Sequence, residues 1–220
     1  PRTRSPTSLE AVDHARDCIC FGPVTAADPV AEIVADRERA RAARDPLTDV
    51  CILATAGKEA APGARPLVLR DVGQQGLGLL VSVTSPKWEP LRSGRYECLL
   101  LWMTIRRQYR SRGGLAPMPE PRVDAYWDTK VHESRLLDLY YERVQAQSSA
   151  VSSREAFLAS IDALRAQHPT PAAVPRSPLL RGVYLVPFRI EAWHGSPDRL
   201  HDRHLFTRDG GGWREQILVP

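Results

Sequence analysis

Hydrophobic and polar positions change period twice along this chain. In "DPVAEIVADRERARAARD", residues 28–45, Asp28 stands at an N-cap position and Pro29 at the first helical position. Helix-forming Ala, Arg and Glu fill the following turns, so the pattern predicts a helix. Apolar, β-branched runs follow between turn signals: "VCILATA" (50–56), "PLVLRDV" (66–72), "LGLLVSV" (77–83) and "YECLLLWM" (96–103). These read as strands, and four in close succession predict an antiparallel barrel or sandwich.

Alternation lapses in "PEPRVDAYWDTKVHESRLLDLYYERVQAQ" (119–147), where Leu136, Leu137, Leu139 and Tyr140 crowd one apolar face and two helices fit. Ser152 with Glu155 forms a capping box for a third helix, with Phe157, Ile161 and Leu164 at helical spacing. The four prolines of "HPTPAAVPRSP" (168–178) then predict a linker or surface loop, because they remove donors and fix φ. Strands return in "GVYLVPFRIEAW", "RHLFTRD" and "GWREQILVP", with Gly195 and the triple glycine 210–212 as hairpin turns. The expectation is an α+β domain over 28–220, its first and last strands in one sheet, behind a flexible N-terminal extension, 1–27.

Composition narrows the function classes. The chain is 220 residues long, 43% hydrophobic and 25% charged, and no apolar run approaches the ~20 residues of a membrane helix. A net charge of +4, with acids interspersed throughout, argues against a nucleic-acid partner and suits a small anionic ligand. Cys18, Cys20, Cys51 and Cys98 lack the spacing of a zinc site or disulfide framework, which points to a reducing, cytoplasmic setting. The opening "PRTRSPTS" fits either the tail of a transit peptide or a disordered terminus.

Several familiar sites are excluded: no G-x-G-x-x-G follows a strand, and Walker, H-E-x-x-H and G-x-S-x-G patterns are missing. No metal site is expected, since His201 and His204 differ by three and would leave a strand on opposite faces. What remains is cationic. Arg65 and Arg70 bracket "PLVL", Lys87 follows "VTSP", and Arg106, Arg107 and Arg110 surround Gln108. In "SPDRLHDRHLF" (196–206), an extended backbone would set Arg199, His201 and Arg203 in a row on one face. With Trp193 and Trp213, these residues suggest a pocket for something flat and phosphorylated, because Arg forks phosphate and aromatic faces cover planar rings.

The C-terminal stretch "RIEAWHGSPDRLHDRHLFTRDGGGWREQILVP" resembles the signature of the pyridoxine (pyridoxamine) 5′-phosphate oxidase family. "RPLVLR", "TSPK", "RRQYR", "AYWDTKVHES" and "QSS" follow the family's order upstream. The resemblance implies an FMN-binding antiparallel split β-barrel with flanking helices, working as a homodimer that oxidises a phosphorylated B6 vitamer with O2. By position, it assigns Arg65, Lys87, Gln108, Gln147, Ser148, Trp193 and Arg203 to FMN. It assigns Arg70, Tyr126, Lys130 and Ser134 to the substrate phosphate, with Arg70 counted among the cofactor-binding residues as well, and Arg199 and His201 to the substrate ring as catalytic residues. Arg70 and Lys130 stand where the family usually carries Lys and Arg, and Pro86 where it usually carries Arg. Leu80 and Val81 replace an aromatic and hydroxyl pair. A diverged flavin- or vitamer-binding protein without turnover, or a phenazine-type oxidase, is the alternative.

Overall fold

The computed structural model describes residues 24–25, 28–57 and 61–220. Cys18, Cys20 and "PRTRSPTS" lie outside the described residues, as does most of the 1–27 extension. Helix α1 (Pro29–Ala42) begins as its sequence predicts, with the Asp28 carboxylate accepting from the Val30 N–H at 2.9 Å. Ten strands follow one sheet among the described residues. They are β1 (Val24–Thr25), β2 (Val50–Thr55), β3 (Gly63–Val68), β4 (Asp71–Gly73), β5 (Gly76–Ser82), β6 (Tyr96–Trp102), β7 (Arg107–Pro117), β8 (Leu180–His194), β9 (Asp202–Asp209) and β10 (Gly212–Ile217). The order is β1-β10-β9-β8-β7-β6-β2-β3, while β5 pairs with β4 and β8. Four more α-helices among the described residues are α2 (Trp88–Arg92), α3 (Glu120–Asp128), α4 (His132–Arg143) and α5 (Arg154–Gln167).

Strand β8 organises the barrel. One edge pairs with β7, whereas the other pairs first with β5, from Leu180 to Leu185, and then with β9, from Arg189 to His194. Between these partners the register slips: Gly113 faces Pro187 and Arg112 faces Arg189, which leaves Phe188 as the extra residue of a bulge. Pro187 has no N–H to offer a ladder there. Gly113 permits the close approach, since a Cβ at that position would meet the Val186 carbonyl oxygen at 1.9 Å. The sheet therefore opens along β8 into a split barrel.

Leu53, Cys98, Leu100, Trp102, Ile190 and Ala192 fill the barrel, each nearly inaccessible. The thiols of Cys51 and Cys98 are free and buried. A second core joins Trp127, Leu136, Leu139 and Tyr140 to Ile161 and Leu164 of α5 and closes on Leu180 and Val174. The proline-rich segment is thus partly structural, because Val174 is buried within it. No helix among the described residues is long and apolar enough to cross a membrane.

Four expectations are corrected. The run 66–72 is two strands: Leu69 bonds back to Asp49 while Arg70 bonds to Gly78, so the chain changes partner between them. Ser153, not Ser152, caps α5, with its hydroxyl accepting from the Ala156 N–H at 3.1 Å. Trp213 is a core residue, 3% exposed, because the hairpin register places it opposite Arg208, whose guanidinium lies 4.1 Å above its ring. The row at 199–203 does not form. Residues 195–201 turn, Arg199 adopts a left-handed backbone at φ 69°, and β9 starts only at Asp202. Within the N-terminal extension, Val24 and Thr25 pair with Arg214 and Trp213 at the sheet edge.

Candidate active site

Two adjoining cavities gather eight expected site residues around β3, α3 and α4. The first, about 250 Å³, is lined by Arg65 on β3, Ser85 and Lys87 of the turn before α2, and Gln147 and Ser148 beyond α4. Among the described residues no carboxylate lines it. Lys87 is buried, and its ammonium donates to the Ser85 hydroxyl and, at 3.2 Å, to the Gln147 side-chain oxygen, both neutral. Burial, and then the positive charge of Arg65, push its pKa down to about 8. Among the described residues Arg65 likewise donates to neutral oxygens, the Leu53 carbonyl at 3.0 Å and the Thr55 hydroxyl at 2.7 Å. Ser148 sits at φ 69°, a strained conformation for a non-glycine residue, at the cavity wall.

The second cavity, about 330 Å³, shares Pro66, Leu67 and Gln147 with the first and adds Arg70, Leu80, Lys130 and Ser134. Ser134 lies in the first turn of α4, which has no side-chain cap, so a helix N-terminus borders the cavity. Tyr126 stands beside it: its hydroxyl donates to the Arg70 carbonyl at 3.1 Å, and the Arg70 guanidinium lies 5.9 Å from its ring. Asp138 and Tyr141 also line this cavity and were not anticipated. Lys130 donates to the Asp138 carboxylate, and both side chains are nearly buried. Burial holds the Asp138 carboxyl above its usual range, opposed by the charges of Lys130 and Arg70. A spacing of eight residues across the start of α4 gave no sequence signal for this pair.

Gln108, Trp193, Arg199, His201 and Arg203 line neither cavity. They group at the far side of β2 and β6, where Gln108 pairs with Trp193 and Trp193 with Arg203. The Trp193 ring lies 4.7 Å from that of His201, and Gly195 makes room for it, since a Cβ there would meet the indole at 2.5 Å. His201 Nδ1 accepts from the Ser196 N–H at 3.1 Å, which places the ring proton of the neutral form on Nε2. Arg203 donates to buried Glu191 at 2.8 Å and to the Val219 carbonyl at 2.7 Å. Arg199 is exposed. A further concavity, about 290 Å³ against Ala54, Arg95 and Arg112, carries none of the expected residues.

Residues 181–220 match the family model described as the pyridoxine 5′-phosphate oxidase C-terminal dimerisation region. The chain is 32% identical over 195 residues to a pyridoxine/pyridoxamine 5′-phosphate oxidase of Myxococcus xanthus, covering 88% of this chain and 92% of that one. It is 34% identical over 196 residues to the corresponding protein of Novosphingobium aromaticivorans, covering 88% and 94%. Among solved structures it resembles PhzG from Burkholderia lata in complex with tetrahydrophenazine-1-carboxylic acid, at 27% identity and a TM-score of 0.75, covering 88% of this chain and 93% of that one. An FMN-binding, pyridoxamine 5′-phosphate oxidase-related protein of Nostoc punctiforme shares the fold at 18% identity and a TM-score of 0.65, covering 89% and 100%. The identity to full-length relatives, carried along nearly the whole of a split barrel, means that this chain belongs to the pyridoxine/pyridoxamine 5′-phosphate oxidase family.

Proposed function

We propose that this chain is an FMN-dependent oxidase that converts pyridoxine 5′-phosphate or pyridoxamine 5′-phosphate to pyridoxal 5′-phosphate with O2, as a cytoplasmic homodimer. The observation that carries this reading is the first cavity. Arg65 and a buried Lys87 face it with no carboxylate among the described residues, an arrangement that costs free energy and is relieved by an anion such as a phosphate ester. Ser148 and Gln147 supply the neutral partners that fix its orientation. When bound, FMN supplies the hydride acceptor and passes the electrons on to oxygen.

The protein's part is alignment, charge and exclusion of water. Arg70, Lys130 and Ser134, with Tyr126 bracing Arg70, hold the substrate phosphate in the adjoining cavity, so one planar ring is held close to the other. Gln108, Trp193 and Arg203 hold the flavin from a group of their own. With these lining neither cavity, one flavin meets both sets only when a second copy presents its β8–β9 end, consistent with the dimerisation region matched there. Arg199 positions the reacting carbon and its oxygen, and His201 Nε2 is placed to hold or transfer the substrate's proton. Purification from a riboflavin-replete host, with a visible spectrum and a peroxide assay on pyridoxine 5′-phosphate, tests the reading. Colourless protein sinks it, and yellow protein that forms neither peroxide nor aldehyde is a binding protein without turnover.

One observation favours a second reading. Asp138 pairs directly with Lys130 and leaves Arg70 as the cation of the second cavity with no ion pair among the described residues, a charge suited to a monocarboxylate on a planar ring, the class of ligand bound in the PhzG structure. Comparing a phosphorylated vitamer with a carboxylated dihydroaromatic in the same peroxide assay separates the two.

A further inference from the structure

On the barrel face of the sheet, away from Trp193 and Arg203, three donors from two strands converge. His194 closes β8, Asp202 opens β9, and these two residues are directly paired; His204 follows two positions along β9. The His204 Nε2 lies 2.8 Å from Asp202 Oδ2, the His194 Nδ1 lies 3.9 Å from the same oxygen, and all three donor atoms fall within 4.8 Å of one another. Metal bonds of about 2.0–2.1 Å in a tetrahedral set place donors roughly 3.4 Å apart, so adjustments of about an ångström or less bring these three onto one ion.

The second nitrogen of each ring is also engaged. His194 Nε2 meets the Glu32 carboxylate of α1 at 2.7 Å, and His204 Nδ1 meets the Glu215 carboxylate of β10. A carboxylate on the distal nitrogen is the usual support of a metal-bound imidazole, fixing its tautomer and orientation and raising its basicity. Both rings are largely buried, at 22% and 20% exposure, while Asp202 is open at 58%, which leaves a side for water as a fourth ligand. Four carboxylates, Glu32, Asp36, Asp202 and Glu215, gather here; Arg107, 3.0 Å from Asp36, and Arg39, 2.6 Å from Asp36, face one of them, and the two imidazoles lie against the other three.

We propose that His194, Asp202 and His204 bind a divalent transition-metal ion of the zinc class, which clamps the base of the turn carrying Arg199 and His201. Imidazole with carboxylate selects this class over calcium or magnesium. Because His194 and Asp202 are the two residues flanking turn 195–201, an ion between them ties its ends together.

The test uses the untagged full chain after chelator treatment, titrated with Co²⁺ and followed by visible ligand-field absorption, then displaced with Zn²⁺. The expected result is one saturable ion per chain, weakened at least tenfold in His194→Ala and His204→Ala, and about tenfold in Glu215→Gln through loss of the supporting carboxylate. Asp202→Asn, at an exposed side chain, covers the case in which a histidine variant fails to fold. No saturable band, or equal binding by folded variants, overturns the site. Amide hydrogen exchange in 195–201 should slow several-fold with Zn²⁺, and unchanged exchange on a metal-loaded chain overturns the clamp.

Discussion

Replacing Asp138 with Asn removes the carboxylate that shares the second cavity with Lys130 while keeping an oxygen for the ammonium to donate to. On the proposed function, that carboxylate occupies the cation a phosphate would use and shares the cavity with the phosphate. At an effective dielectric of about 20, unit charges about 6 Å apart interact by about 3 kcal/mol. The open cavity and salt reduce this to about 1–2 kcal/mol, or roughly 5–30-fold in affinity. Asp138→Asn should therefore bind pyridoxal 5′-phosphate about tenfold more tightly by calorimetry, and its KM for the phosphorylated alcohol should fall alike. Burial raises the Asp138 carboxyl's pKa, so as pH drops the wild-type carboxylate gains a proton and the advantage of the variant should shrink. The ligand-free variant should melt lower, since a nearly buried ion pair has lost one partner. A folded variant that binds the phosphate equally or more weakly, or whose advantage is the same at acid and neutral pH, refutes the reasoning.

The depressed pKa of Lys87 gives two trends of opposite sign. Phosphate favours charged Lys87, so FMN affinity should fall by up to about tenfold per pH unit above about 8, with riboflavin affinity unaffected, as read by fluorescence quenching. The flavin-free fold should instead gain stability as pH rises from about 8 toward the ordinary lysine range, because there the unfolded chain binds more protons. Arg199→Ala should lower kcat by at least about tenfold with flavin content retained, whereas Arg203→Ala should lose flavin, and the opposite pattern would exchange their ligands. Gly113→Ala should destabilise by at least about 2 kcal/mol in denaturant melts, because its Cβ meets the β8 backbone rather than a movable side chain. Ser153→Ala should cost about 1 kcal/mol and Ser152→Ala close to none, which distinguishes the two neighbouring caps.

Local chemistry was legible wherever it is settled within a few residues. Asp28 and Pro29 start α1, the apolar, β-branched runs at 50–56 and 96–103 mark β2 and β6, and the glycines at 210–212 turn the last hairpin. The ordered motifs from "RPLVLR" to the terminal strand identified the family, and eight of their residues do meet around two contiguous cavities. What the chain does at 195–201 depended on more than alternation: the chain turns there, with the Trp193 ring against Gly195, so the expected cationic row becomes a left-handed Arg199 and a lone strand residue, Arg203. Trp213 could serve pocket or core on composition alone, and hairpin register sent it inward. Asp138 beside Lys130, and His194 beside His204, belong to contacts across a helix start and between strands, and no spacing rule reaches them. Periodicity and caps are properties of neighbours along the chain, but the charge balance of a cavity depends on which distant side chains packing brings together, and that is decided only in the folded barrel.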